Sequence, residues 1–169
     1  MKQLKTIVLI TGFLFSSCSF GAEILKGQSY SAEEASVRLL CTNKIEVPSH
    51  LPFADAGKTK ISFHIFPKEG SDKNLDVGHV CVSYKEGESI LEISLLEVAE
   101  DYRRKHYAET AMGLVFGIFE KKDFFSFTLS VAPGNEAAKA LYKKLGFILI
   151  KKPLSSESYL ELVRVTPLS

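Results

Sequence analysis

The sequence predicts a mixed α/β (α+β) fold with helices on both faces of one central sheet, in which an antiparallel meander precedes a strand–helix–strand crossover. Three observations predict this fold. Several runs alternate apolar and polar residues with the period of two that is typical of half-buried strands. One long stretch places apolar residues at helical spacing, and a shorter one begins after an asparagine and ends at a glycine. The 169 residues, 46% hydrophobic and 24% charged, suit one globular domain.

Composition also excludes several classes of function. The 21 Lys and Arg nearly balance the 20 Asp and Glu, and a net charge of +1 argues against a strongly electrostatic nucleic-acid binder. Three Cys and four His are scattered singly, so no metal site is implied. After the amino terminus, no apolar run approaches the roughly 20 residues of a membrane helix, which excludes a multi-span transporter.

Residues 1–22 have the pattern of a secretory leader, followed by a single domain over residues 23–169. Two lysines precede an apolar run over residues 7–15, and small polar residues follow it. Cleavage shortly before Glu23 is one interpretation. Lipid attachment at Cys18 is another, because residues 15–18 are similar to a bacterial lipobox. A processed leader predicts export; a buried amino-terminal strand or helix is the alternative and would leave the protein cytoplasmic.

Export would place Cys41 and Cys81 in an oxidising compartment, where they could form a disulfide. Two unpaired thiols that behave as small core residues are the alternative that we favour.

The region before the meander predicts a short helix and a loop. Residues 31–34 have capping-box spacing, and Val37, Leu40 and Cys41 follow on one helical face, so a helix should start near Ser31. Residues 48–60 hold two prolines and a glycine, which favours a loop.

The sequence then predicts three strands, over residues 61–65, 77–84 and 90–98, which should form the antiparallel meander. The long helix follows, since apolar residues recur at helical spacing: Ala108, Ala111, Met112, Val115, Ile118 and Phe119. A strand over residues 125–131 should lie parallel to the third strand by the crossover rule. The second helix begins after Asn135 and ends at Gly146, and residues 147–150 and 159–165 predict a closing hairpin.

Two segments resemble one known family. Residues 135–147 read N-x-x-A-x-x-L-Y-x-x-x-G-F, which resembles a conserved block of the GNAT superfamily of acyl-CoA-dependent N-acyltransferases. Residues 98–108 resemble the strand-to-helix turn R/Q-x-x-G-x-G/A of the same family, with His106 at the middle glycine and Ala108 at the last small position. In such a turn the unpaired N–H groups of a helix amino terminus hold the pyrophosphate of coenzyme A.

The resemblance implies acetyl-CoA as co-substrate and assigns its contacts residue by residue. Backbone groups near the end of the central strand would bind the pantetheine arm, and the turn and the second helix would bind the rest. The positions that correspond are Leu96, Val98, Arg103, Arg104, Lys105, His106, Tyr107, Ala108 and Asn135.

Two catalytic residues follow from the same resemblance. Tyr142 corresponds to the general acid that protonates the departing thiolate, and Glu92 to the general base that deprotonates the attacking amine. Glu97 and Glu100 are alternatives to Glu92.

Two functions are therefore open. The first is an N-acetyltransferase that moves an acetyl group from acetyl-CoA to a primary amine of a small molecule or a protein. The second is an exported, non-catalytic binding or accessory protein with a degenerate coenzyme A site. It is motivated by His106 in place of glycine, and by a leader on a domain whose cofactor is made in the cytosol.

Overall fold

The computed structural model describes residues 7–8, 27–32, 35–46, 56–151 and 159–166. These residues form strands and two α-helices, in the chain order β1 (Ile7–Val8), β2 (Ser29–Ala32), β3 (Val37–Glu46), β4 (Lys58–Pro67), β5 (Gly78–Lys85), β6 (Ile90–Val98), α1 (Tyr107–Glu120), β7 (Ser126–Val131), α2 (Glu136–Lys144), β8 (Ile148–Lys151) and β9 (Leu160–Val165). A short 3-10 helix, Glu100–Tyr102, links β6 to α1.

The strands form one mixed sheet in the order β1-β2-β3-β4-β5-β6-β7-β9-β8. Strands β4, β5 and β6 are the predicted antiparallel meander. Strand β7 pairs with β6 in parallel after the α1 crossover, and β8 and β9 are the closing hairpin, with β9 between β7 and β8. The mixed α/β fold predicted from the sequence is therefore confirmed.

The core lies between the sheet and α1. Strand β4 turns Ile61, Phe63 and Ile65 to this face, and each is almost completely buried. From α1, the Phe119 ring meets Tyr84 of β5, and Phe116 meets Phe127 of β7 at 4.8 Å between ring centroids. The expectation that helices cover the other face as well stays a prediction, because residues 47–55 and most of 1–26 lie outside the described residues.

The helix predicted to start near Ser31 is wrong. Residues 29–32 and 37–46 are β2 and β3, which pair with each other, and β3 also pairs with β4. Val37, Leu39 and Cys41 alternate inward and are fully buried. Burial of this period-two stripe against α1 outweighs the capping-box spacing, which is only a local preference. The predicted loop is also too long, since β4 already begins at Lys58.

Most of the predicted leader lies outside the described residues, including Cys18, Glu23 and both processing positions. Ile7 and Val8 are described: they form β1, which pairs antiparallel with Ala32 and Ser31. The structure therefore lends the leader no support. The described helices include none that is long and apolar enough to cross a membrane.

Cys41 and Cys81 are free thiols, as favoured from the sequence. Cys41 lies opposite Phe63 on the core face, whereas Cys81 lies opposite Ser62 on the other face of the sheet. Their side chains point away from each other, so they cannot form a disulfide in this fold. Burial raises the pKa of the Cys41 thiol, which makes it a poor nucleophile.

Candidate active site

The site begins where β6 parts from β7. Strand β6 pairs with β7 only over residues 90–93, and the last pair is Ile93 with Leu129. On the β5 side, Val82 faces Ile93 and Cys81 faces Leu95, so Ser94 is an extra residue in β6. Such a bulge bends and twists its strand. We call residues 90–93 the closed half of β6 and residues 94–98 the open half.

In the open half, the main chain faces a gap. Among the described residues, β5 is the only strand that pairs with residues 94–98. The hydroxyl of Ser94 donates a 3.2 Å hydrogen bond to the Cys81 carbonyl and holds the bulge in place. Val98 is buried and Leu96 is half-buried. The Ala99 N–H donates to the Val77 carbonyl on the β5 side, so by alternation the N–H groups of Leu96 and Val98 point away from β5, as a strand-like contact with a pantetheine arm requires.

The open half leads into the turn before α1, which we call the cradle (residues 103–106). Arg103 ties the start of the cradle to the end of β6, because its Nε donates to the Val98 carbonyl at 3.0 Å. Arg104 and His106 have φ angles of 61° and 62°, in the left-handed region that favours glycine. His106, at the glycine position of the family pattern, thus adopts a backbone conformation that favours glycine.

The cradle carries positive charge and free donors. Helix α1 begins at Tyr107, so the first-turn N–H groups, including that of Ala108, have no partner within the helix. Arg103, Arg104 and Lys105 are exposed beside them. The combination of unpaired N–H groups, helix dipole and cations suits an anionic ligand such as a diphosphate.

A carboxylate that sequence reasoning missed also lies at the cradle. Glu109, in the first turn of α1, accepts from Lys144 Nζ at 2.7 Å and from His106 Nδ1 at 3.0 Å, both on Oε2. These two hydrogen bonds lower the pKa of the Glu109 carboxyl. The three-residue spacing between His106 and Glu109 was visible in the sequence. The contact with Lys144 was not, because it joins two helices 35 residues apart.

Tyr142 lies on α2 with its ring buried, at 8% exposure, against Phe147. Burial raises the pKa of the Tyr142 phenol, so it stays protonated at neutral pH, as a general acid must. Gly146, at φ 85°, turns the chain after α2 so that the Phe147 N–H donates to the Tyr142 carbonyl at 2.9 Å. Asn135 caps α2, since its Oδ1 accepts from the Ala138 N–H at 3.1 Å.

Glu92 lies in the closed half of β6. Its Oε2 accepts from Lys58 Nζ at 2.8 Å and from the Ser83 hydroxyl at 3.3 Å. Among the described residues it makes no contact with Tyr142. Of its alternatives, Glu97 faces His79 at 3.8 Å in the open half, and Glu100 is an exposed residue of the 3-10 helix.

The described residues contain no group of three or more His, Cys, Asp or Glu side chains that could hold a metal ion. In the part of the chain that the structure describes, the site consists of an unpaired strand edge, residues 94–98, that leads through the cradle into the amino terminus of α1. It can hold an extended, anionic ligand along main-chain donors and acceptors.

Comparison with known proteins identifies the class. The sequence profile of the acetyltransferase (GNAT) family matches residues 50–147, more than half of the chain, and this stretch includes β6, the cradle and α2. The protein therefore belongs to the acetyltransferase (GNAT) family. A comparison with curated protein sequences gives no match.

Solved structures agree on the fold. The PaiA N-acetyltransferase of Thermoplasma acidophilum, in complex with coenzyme A, is similar with a TM-score of 0.54 and 18% identity over 63% of this chain and 61% of that one. Ard1 of Thermoplasma volcanium gives 0.53 and 19%, over 63% and 71%. Arabidopsis thaliana Naa50 with the bisubstrate analogue CoA-Ac-MVNAL gives 0.53 and 18%, over 62% and 72%. This chain thus spans less than two thirds of the PaiA structure.

Proposed function

We propose that this protein is an N-acetyltransferase that moves an acetyl group from acetyl-CoA to a primary amine. The observation that carries the proposal is the continuity of the open half of β6 with the cradle and the amino terminus of α1. A strand edge that leads directly into an anion site matches a molecule with an amide-containing arm and a diphosphate. Family membership and the neighbours that hold coenzyme A support the same co-substrate.

The chemistry assigned to the chain follows from this placement. The pantetheine arm would lie along the main chain of residues 94–98, and its diphosphate at the first turn of α1. The amine nitrogen attacks the thioester carbonyl carbon, the C–S bond breaks, and the leaving sulfur takes the proton of the Tyr142 hydroxyl. Glu92, directly or through a water, takes the proton that the acceptor ammonium loses before attack, and the second proton that the nitrogen loses as the amide forms passes to the Tyr142 phenolate.

The acceptor is a primary amine of a small molecule or of a protein. The neighbours span both possibilities in their names, since one is Naa50 with a peptide-containing bisubstrate analogue and another is IAA acetyltransferase from Bacillus cereus. The acceptor is therefore best sought with a mixed panel of amines.

Calorimetric titration of the full chain with acetyl-CoA tests the proposal. We expect micromolar binding, and release of free thiol when a polyamine, free lysine or a short peptide with a free amino terminus is added. An acetyl thioester of N-acetylcysteamine, which lacks the nucleotide, is the matched control and should bind far more weakly. If millimolar acetyl-CoA neither binds nor raises the melting temperature, the proposal is wrong.

One observation favours the second candidate, a non-catalytic binding or accessory protein of the same fold. Glu109 places a carboxylate in the first turn of α1, where an anionic diphosphate would bind, and His106 adds a Cβ at the family's glycine position. Binding separates the two candidates. If the unmodified chain binds no acetyl-CoA and the His106→Gly variant does, the coenzyme A site is degenerate.

A further inference from the structure

Helix α2 packs on the core by its inner face alone. It has nine residues, of which Tyr142 is buried, and Ala138 and Leu141 pack half-buried against the core. Among the described residues, the one ion pair that joins α2 to another element is Lys144 with Glu109, at 2.7 Å. This ion pair is therefore the link that fixes the outer face of the last turn of α2.

The ion pair links the two parts of the proposed active site. Glu109 belongs to the first turn of α1, beside the cradle. Lys144 lies two residues after Tyr142, in the last turn of α2. The side chains of Lys144 and Glu109 are 57% and 30% exposed, so solvent screens the pair in part. The Glu109 carboxylate is also favourably placed at the positive end of the α1 dipole.

We propose, on the basis of the function proposed above, that Glu109 and Lys144 are positioning residues of the acetyl transfer. Their ion pair holds the last turn of α2, and with it the Tyr142 hydroxyl, at a fixed distance from the cradle that binds the diphosphate. The ion pair thereby fixes the position of the general acid relative to the co-substrate. Displacement of a catalytic group by about 1 Å is enough to lower a rate substantially.

Lys144 has a second effect, on charge. Its ammonium neutralises the Glu109 carboxylate, to which the His106 ring is also hydrogen-bonded, at the site of the diphosphate. Without Lys144, the carboxylate would repel an anionic ligand. The two effects are separable: glutamine at position 109 removes the charge but can still accept a hydrogen bond from Lys144, whereas Lys144→Met removes the link and leaves the carboxylate charged.

The test compares Lys144→Met, Glu109→Gln and the double variant of the full chain. In Lys144→Met we expect kcat for thiol release to fall about tenfold and acetyl-CoA affinity to fall about threefold. In the double variant, affinity should return to that of the unmodified chain while kcat stays low. The charge-reversed pair Glu109→Lys with Lys144→Glu should recover most of kcat. A purely structural role would lower affinity and kcat together and would not give this split.

Lys143→Met is the matched control, since Lys143 is an exposed lysine one residue away. It should change neither quantity. Hydrogen–deuterium exchange of α2 supplies a readout that needs no acetyl donor: exchange over residues 136–144 should rise in Lys144→Met and not in Lys143→Met. Unchanged exchange and unchanged kcat in Lys144→Met would overturn the positioning role. If the unmodified chain binds no acetyl-CoA, the proposed function fails and this role in transfer fails with it, whereas the exchange data still report whether the ion pair holds α2.

Discussion

The two halves of β6 are consecutive segments of one strand, but they differ in how their main chains are paired. The closed half lies between two paired strands, β5 and β7, and buries Leu91 and Ile93 under α1. The open half pairs with β5 alone and runs into the cradle. Both halves are β-strand, and the open half begins with the extra residue, Ser94. The closed half stabilises the fold, and the open half leaves its main chain available to a ligand.

The proposed ligand site therefore depends on a break in strand pairing rather than on a special set of side chains. A strand whose main chain is fully paired has no donors or acceptors left for a ligand. Pairing with β7 ends at Ile93, just before the bulge, whereas pairing with β5 continues to Val98 and keeps the strand in place. The following substitutions test the two halves of β6 and the catalytic and binding residues proposed beside them.

The largest effect on the fold should come from Gly78→Ala, on β5 opposite the end of the open half. A Cβ there would lie 2.2 Å from the Glu97 carbonyl oxygen, which is main chain and cannot rotate away. The open half must therefore shift. We expect a loss of about 2 kcal/mol in the free energy of unfolding and at least tenfold weaker acetyl-CoA binding, measured by denaturant unfolding and calorimetry.

Gly113→Ala is the matched control for this substitution. Gly113 lies within α1, and a Cβ there meets no atom within 4 Å. Alanine is the better helix former by about 1 kcal/mol, so this variant should be more stable and bind acetyl-CoA unchanged. Equal behaviour of the two alanine variants would mean that close packing at Gly78 does not shape the open half.

Tyr142→Phe should lower kcat about a hundredfold, since general acid catalysis contributes at least this much. The ring contact with Phe147 is kept, so acetyl-CoA affinity and stability should stay within error. Because burial raises the pKa of the phenol, the unmodified protein should keep its activity up to a pH above the usual range of tyrosine. A variant that retains full kcat would remove Tyr142 from the mechanism.

Glu92→Gln should lower kcat about tenfold, less than Tyr142→Phe, because the carboxylate already accepts hydrogen bonds from Lys58 and Ser83. Glu97→Gln is the comparison from the open half and should have little effect on kcat. Rates of thiol release with saturating acetyl-CoA measure both. The reverse order would move the general base from the closed half to the open half.

The closed half of β6 and the core were accessible to sequence reasoning. Alternation in residues 61–65 and 125–131, and helical spacing in residues 108–119, reflect burial on one face, and each of these patterns is visible within its own segment. The predicted bounds of β6 coincide with those of the structure. The meander, the parallel crossover and the closing hairpin followed from these patterns and from the handedness of crossovers.

Features that depend on two distant segments were not accessible. The Ser31 helix was wrong because its capping spacing is local, whereas β3 is stabilised by pairing with β4. The bulge at Ser94 has no signature in residues 90–98 alone, since it is defined by the partners on β5. Lys144 reaches Glu109 only after both crossovers have placed α1 beside α2. The roles of Tyr142, Glu92 and the cradle residues stay predictions that the variants above address.

The smallest effect should come from His106→Gly in the cradle, at the end of the open half. A left-handed φ of 62° strains any residue with a Cβ, so glycine should raise the free energy of unfolding by up to about 1 kcal/mol. Removing the side chain also lets a diphosphate approach the main chain more closely, and we expect acetyl-CoA to bind about threefold more tightly. Arg104→Gly, at φ 61°, is the matched control: it should give a similar gain in stability with no gain in affinity. If His106→Gly instead weakens acetyl-CoA binding, the imidazole itself contacts the co-substrate, and the Glu109 carboxylate that accepts from its Nδ1 then orients a ligand-binding group.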